Sequence, residues 1–130
     1  MKFLVLLGRI FYSVIFIISG LSHFSSEAIH YAQGYHVPYA EFLVPFSGIL
    51  AVLGGISILL GYKARLGALL IILFLVPVTL SMHHFWDLQD PGQKMLQQAM
   101  FLKNLSMLGG ALLIAYWGAG PCSFCKHKKK

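Results

Sequence analysis

Four runs of about 20 mostly apolar residues occupy most of this 130-residue chain, over roughly 3–24, 41–61, 66–86 and 97–118. Wound as a helix, a run of that length matches the ~30 Å hydrocarbon thickness of a bilayer. Inside hydrocarbon the backbone must satisfy its own hydrogen bonds, which admits helices and excludes open sheets. Composition agrees, with 58% hydrophobic and only 11% charged residues, against the roughly 25% charged residues typical of a soluble domain. The expected fold is all-α, a polytopic membrane four-helix bundle over residues 1–120 with a basic tail at 121–130. Arg9 interrupts the first run and no small-residue cleavage motif follows it, so the segment reads as a retained span and not as a leader.

The formal net charge is +6, but its placement suits membrane orientation better than a nucleic-acid face. Lys2 precedes the first run, Lys63 and Arg65 sit between the second and third, and Lys126, Lys128, Lys129 and Lys130 follow the fourth. Across the two remaining connections the only Lys or Arg is Lys94, while all four acids (Glu27, Glu41, Asp87, Asp90) lie on that side. The positive-inside rule then puts both termini in the cytoplasm. Membrane lipids are the expected partners, and nucleic acid is not.

Helices associate in lipid through small and polar residues, because oily surface gains nothing by being buried there. On the first span Arg9, Ser13, Phe16, Gly20, His23 and Glu27 keep within about 40° of one line at 100° per residue. That stripe should face protein. Similar stripes are Glu41, Pro45, Gly48, Val52 and Gly55 on the second span, and Leu70, Pro77, Ser81 and His84 on the third. The fourth offers Lys103, Met107 and Gly110 on one face and Gln97, Phe101 and Asn104 on its neighbour. Close backbone approach is expected at Gly48, Gly54, Gly55, Gly109 and Gly110.

Depth brings several polar residues together. His23 ends the first span, Glu41 begins the second, His83, His84 and Trp86 end the third, and Lys103 and Asn104 lie about two turns into the fourth. All fall in the outer third of the membrane. A lysine that deep costs about 2.5–3.5 kcal/mol on insertion scales unless it snorkels or meets a carboxylate. A Lys103–Glu41 pair roofed by His84 and His23 is the expected arrangement, giving a polar ligand pocket of His23, Glu41, His84, Trp86, Lys103 and Asn104. The histidines also suit a headgroup anchor. No metal site is expected, since none of these residues is paired at i, i+4 and adjacent histidines point about 100° apart. Arg9 lies about 21 Å from His23 along the helix and reads as structural, bonding carbonyls or a lipid phosphate.

Residues 25–40, SSEAIHYAQGYHVPYA, repeat tyrosine every four positions at Tyr31, Tyr35 and Tyr39. They read either as a short interfacial helix acting as a lid or as an aromatic belt. Cys122 and Cys125 form a Cys-x-x-Cys, which reads as a redox pair, half a metal site or a feature without a role.

Taken together, GRIFYSVIFIISGLSHF, the glycine-rich second span with its turn GYKAR, PVTLSMHHFW and FLKNLSMLGGALLIAYWGAGP resemble the DoxX family of small four-span membrane proteins, over about residues 8–118. Arg9 and Gly20 match the family's usual first-span arginine and glycine. His23 stands where members carry Lys or His, and Lys103-Asn104 matches a recurring fourth-span pair. The resemblance implies the four-helix bundle. It also implies a link to membrane redox systems, the family being named for a subunit associated with a thiosulfate:quinone oxidoreductase. It assigns nothing to Cys122 and Cys125.

Two functions fit. One is an accessory subunit that binds quinone or lipid within a membrane redox system, with His23, His84, Lys103 and Asn104 donating to quinone oxygens. The chain carries no flavin, haem or iron–sulfur motif, so quinone is the one cofactor considered and a protein partner must transfer electrons. The other is a non-catalytic assembly subunit bound to a partner or to further copies of itself. No nucleophile–base pair is legible, so catalytic residues are unknown and enzyme status stays open. A small transporter is a weaker third reading, because no inverted repeat is detectable. The expected location is a bacterial inner (plasma) membrane.

Overall fold

The structure, a computed structural model, describes residues 1–124; Cys125 and the lysine run of the expected tail lie outside the described residues. The elements are α1 (Lys2–Ser22), α2 (Ser26–Gly34), α3 (Ala40–Leu60), α4 (Ala64–Met82), a 3-10 turn at Phe85–Asp87, and α5 (Pro91–Trp117). α1, α3, α5 and α4 together with its following turn are long and apolar enough to cross a membrane.

Local chemistry sets the ends of these helices. α2 starts at Ser25, whose hydroxyl accepts from the Ala28 amide. α3 stops at Gly61, which adopts the left-handed conformation (φ 70°) that an L side chain resists. α5 starts six residues before the apolar run because Asp90 caps it, its carboxylate accepting from the Gln93 amide at 2.8 Å, with Pro91 at the first helical position. Its 27 residues span about 40 Å, longer than the ~30 Å hydrocarbon layer, and the polar first turns supply the excess.

The connections alternate the long helices. One end of the bundle gathers His23, α2, the start of α3, the 3-10 turn and the start of α5. The other gathers Met1, the Gly61–Lys63 turn and residues 118–124. α1 packs on α3, α3 on α4 and α4 on α5, while α2 lies on α3. The bundle closes through Tyr12 of α1, whose hydroxyl donates to the Met107 carbonyl of α5 at 2.6 Å. The Tyr12 ring fills the space a side chain at Gly110 would need.

Two glycine crossings set the spacing. A Cβ on Gly48 would lie 2.6 Å from the Gly20 carbonyl, and one on Gly20 would lie 2.9 Å from the Gly48 carbonyl. A Cβ on Gly54 would sit 2.8 Å from the Gly67 carbonyl, and one on Gly67 would sit 2.9 Å from the Gly54 carbonyl. Backbone therefore touches backbone at both the α1–α3 and the α3–α4 contacts. Around these crossings pack Phe16, Ala51, Ile58, Ala68, Ile71, Phe74, Leu75 and Ala111.

The expected stripe on α1 is observed as far as Gly20, since Arg9, Ser13, Phe16 and Gly20 are its buried residues. His23 is half-buried and Glu27, now on α2, is exposed. α3 is rotated from the expected face. Its buried line is Ala40, Val44, Gly48, Ala51, Gly54, Gly55 and Ile58, which leaves Glu41 exposed and Val52 half-buried. On α4 the buried line is Ala64, Gly67, Ala68, Ile71, Phe74, Leu75 and Thr79, and Pro77 is exposed. Small residues, not the prolines and charges, decide which face meets a neighbour, because only they let backbones approach. On α5 the Gln97–Asn104 face is the inner one, continued by Ala111. Gly109 has open space around it, contrary to the expected close approach.

The crossings predict a sharp contrast among glycines. Gly48→Leu should destabilise the bundle by about 1–3 kcal/mol or more through overpacking. Gly109→Ala should be neutral or stabilising by up to about 1 kcal/mol, from helix propensity. Thermal unfolding in a fixed detergent reads both, and equal effects would remove the crossing from its structural role.

Candidate functional site

The polar residues expected to converge divide into three places. The first is a cavity of about 430 Å³ between α3 and α4, bordered by the end of α1 and by α2. Its walls are apolar: Ala32 of α2, Val44 and Leu50 of α3, Leu73, Phe74 and Pro77 of α4. His23 enters it from the end of α1. The imidazole packs edge-on to Phe74, with ring centroids 5.6 Å apart. The imidazole reaches back to the Ser19 backbone one turn earlier, although its buried Nδ1 makes no well-directed hydrogen bond among the described residues. Ser47 and Ser81 also line the cavity, but each hydroxyl already donates along its own helix, to Val44 at 2.7 Å and Pro77 at 2.6 Å. Pro77 and Ser81 thus share a face as expected, and that face borders the cavity.

The second place joins α2 to α4 and α5. Gln97 is buried, its amide nitrogen donating to the Tyr35 hydroxyl at 3.2 Å. The Gln97 carbonyl is then left to accept from His83 Nδ1 at 2.7 Å. Tyr35 meets the Tyr31 hydroxyl at 3.3 Å, a bond that holds the Tyr35 phenol above the ordinary tyrosine range, with burial adding to it. His84 stands edge-on to Tyr35 at 5.9 Å and near Trp86 at 6.2 Å. Phe85 and Phe101 complete the aromatic group. Below it, Asn104 donates to the Thr79 hydroxyl at 3.0 Å in a buried bond between α5 and α4.

The third place is the lipid-facing exterior. Glu41 and Lys103 are both exposed, and among the described residues no ion pair joins them. Lys103 instead reaches the Met100 sulfur at 3.5 Å on its own helix. The expected Lys103–Glu41 pair roofed by histidines is therefore corrected. Each charge lies about 100° around its helix from a buried small or amide residue, Ala40 and Asn104 respectively. His23, His84 and Trp86 stay at the α2 end, but His84 and Trp86 face α2 and α5 while His23 faces the cavity.

Sequence reasoning singled out His84 and missed its partners, with His83 taken as an anchor. Tyr35, His83, Gln97 and Thr79 are ordinary residues one at a time, and only the fold brings Gln97 to Tyr35 across 62 positions. The helical periodicity of the tyrosines was the available signal. It holds for Tyr31 and Tyr35, while Tyr39 lies beyond α2 and is 81% exposed.

At the opposite end Arg9 is 4% exposed and plays the carbonyl-binding role expected of it. It donates to the Ala119 carbonyl at 3.2 Å and to the Cys122 carbonyl. The Phe124 amide bonds the Leu60 carbonyl at 3.2 Å, so residues 119–124 fold back onto the bundle. Cys122 is exposed and has no disulfide partner among the described residues; Cys125, the other half of the expected pair, lies outside them. Among the described residues no three His, Cys, Asp or Glu side chains gather to hold a metal ion.

Four apolar helices around a buried arginine and paired glycines define a small polytopic membrane protein. The chain belongs to the DoxX family, which it matches over residues 4–84. It is similar to the ER-derived vesicles protein ERV29 of Saccharomyces cerevisiae, with 30% identity over 84 residues, 65% of this chain and 27% of that protein. Similarity to the Surfeit locus protein 4 homolog of Drosophila melanogaster is 35% over 78 residues, 58% of this chain and 28% of that one. The chain thus spans about a quarter of the length of both proteins. The inner membrane protein YphA of Escherichia coli is 30% identical over 124 residues, 92% of this chain and 86% of that one. No solved structure matches.

Gln97 is predicted to fasten α2. Gln97→Leu leaves Tyr35 and His83 without this partner, a loss of about 1–3 kcal/mol for buried polar groups. Hydrogen exchange in Ser26–Gly34 should accelerate while exchange at the glycine crossings does not change. Arg9→Met should likewise release residues 119–124, read as faster exchange there.

Proposed function

We propose that this protein binds one amphipathic, lipid-like molecule, a quinone or a membrane lipid, in the cavity beside α2, as an accessory subunit of a membrane redox system. The single observation that carries the reading is the apolar cavity with the His23 imidazole on its wall. A volume of about 430 Å³ is within the range of small-molecule sites, which combine apolar walls with a few polar groups. His23 holds a ligand carbonyl or hydroxyl, and the walls take ring or chain. The chain supplies binding and orientation, and a quinone would supply the electron chemistry together with a partner protein. His84, Trp86 and Asn104 support α2 and the α4–α5 contact beside this site. The distribution of Lys and Arg favours both termini in the cytoplasm, which puts the cavity in the outer leaflet. The similarity to YphA, named as an inner membrane protein, favours a bacterial inner membrane.

Native mass spectrometry of the protein released from nanodiscs of defined lipid and added quinone tests this. The wild type should retain one quinone or lipid. His23→Leu should weaken retention about three- to tenfold, the worth of one hydrogen bond. Leu73→Trp, filling the cavity from an exposed rim position, should abolish it. Retention unchanged in both variants would overturn the reading.

The second function, a non-catalytic assembly subunit, is favoured by Lys103. A cation on the outer face of a spanning helix either snorkels or meets an acceptor on another chain. Here Lys103→Met should dissociate a purified homo-oligomer or partner complex, read as subunit count, while Leu73→Trp leaves it intact.

A further inference from the structure

The end of the bundle opposite α2 holds a second cavity, of about 260 Å³, lined by Gly61, Lys63, Arg65, Trp117, Gly118 and Ser123 among others. Its chemistry is unlike the first. All four acidic side chains of the protein, Glu27, Glu41, Asp87 and Asp90, belong to the α2 end. Lys63 and Arg65 on the rim, Arg9 behind it and Lys2 nearby are therefore not neutralised by any Asp or Glu of this chain.

The backbone around the cavity offers both kinds of group, since α4 begins here while α3 and α5 end here. Two acceptors beside α4 are engaged: the Tyr62 carbonyl accepts from the Ser57 hydroxyl at 2.6 Å, and the Lys63 carbonyl from the Gly67 amide at 3.1 Å. On the other wall Arg9 binds the Ala119 and Cys122 carbonyls. The donors are not engaged in this way. α4 begins at Lys63 with no side-chain cap and no acid in its first turn, and the first amides of a helix have no intrahelical acceptor. A helix start with free amides carries partial positive charge and favours anions.

Geometry adds two independent observations. Gly118, at φ 82°, lets the Arg65 side chain lie against the α5 terminus, where a Cβ would be 3.4 Å from Arg65 Nε. Arg9, more than nine-tenths buried, abuts Gly61 on the cavity wall, and its Nε has no partner among the described residues. The site therefore has cationic side chains at its rim and a buried, incompletely satisfied guanidinium behind its wall. Trp117, 73% exposed, marks headgroup level, where tryptophan concentrates.

We propose that this cavity binds a phosphate group, with Arg65 and Lys63 clasping its oxygens and the first amides of α4 completing the shell. The proposal is independent of the apolar cavity at the other end. Two sources carry the same chemistry: the headgroup of an anionic phospholipid, and a free phosphate.

The full chain tests it in two arms. In the first, nanodiscs of phosphatidylcholine with and without phosphatidylglycerol are compared by native mass spectrometry for lipid retained after release. In the second, inorganic phosphate is titrated into protein in uncharged detergent, with Trp117 fluorescence read in a Trp86→Phe background. Selective phosphatidylglycerol retention assigns the site to lipid, and a phosphate response alone assigns it to the free anion; either supports the proposal. Lys63→Asn with Arg65→Gln should weaken the binding about tenfold or more, and Lys2→Gln, at an exposed position of the same end, by less than about twofold. Asn is chosen because Lys63 sits at φ 49°, a conformation Asn tolerates. Arg65→Gln alone, at an exposed position, still decides the question if the double variant does not fold. No selectivity in either arm, or equal losses in Lys2→Gln and the Arg65 variants, would overturn the proposal.

Discussion

Backbone contact at α3 is the constraint on which the rest of the molecule hangs. Gly20 against Gly48 and Gly54 against Gly67 bring three helices within carbonyl distance of one another. In lipid this contact replaces the hydrophobic drive that would hold a soluble bundle together. The Gly54–Gly67 crossing lies near the tight Gly61–Lys63 turn, and beyond it the facing residues become large. Space opens between α3 and α4 at the far end, and that space is the apolar cavity beside α2. The Gly54–Gly67 crossing thus joins α3 and α4 at one end, while the Gly20–Gly48 crossing lies at the cavity end beside His23.

Much of this arrangement was legible in the residues, and the parts that were not share a cause. Four spans and the α1 stripe through Arg9, Ser13, Phe16 and Gly20 follow from length and from the scarcity of polar groups, while the tyrosine spacing of residues 25–40 allowed either a short helix or an aromatic belt, of which Ser26–Gly34 is helical. The faces of α3 and α4 were misjudged because Glu41 and Pro77 were given more weight than Ala40, Gly67 and Ala68. A charge near the end of a spanning helix can turn to headgroups, whereas a small residue has value only against another helix. Lys103 shows the same thing: its neighbour Asn104 is the buried one, because an amide can bond Thr79 without carrying charge into the core. Of the Tyr35–Gln97–His83 chain only the tyrosine spacing was visible in the sequence, since nothing local links α2 to the start of α5.

The two ends of the bundle differ in kind. One is aromatic, nearly neutral in its hydrogen-bond chain, and adjoins an oily hollow. The other is basic, with the Tyr62 carbonyl engaged by Ser57 and the Ala119 and Cys122 carbonyls by Arg9. Membership of the DoxX family fixes the membrane bundle, while the similarity to the longer eukaryotic proteins covers only about a quarter of their length. The residue-level features of these ends therefore carry the functional argument.

Arg9 and the carbonyls it grips are separated by 110 and 113 positions, which has a consequence for biogenesis. When the first helix leaves the ribosome, the acceptors of its guanidinium have not been synthesised. The arginine must wait at the water boundary or on a lipid headgroup until the last segment emerges. The guanidinium of α1 thus meets these acceptors only after α5 and residues 118–122 have been made.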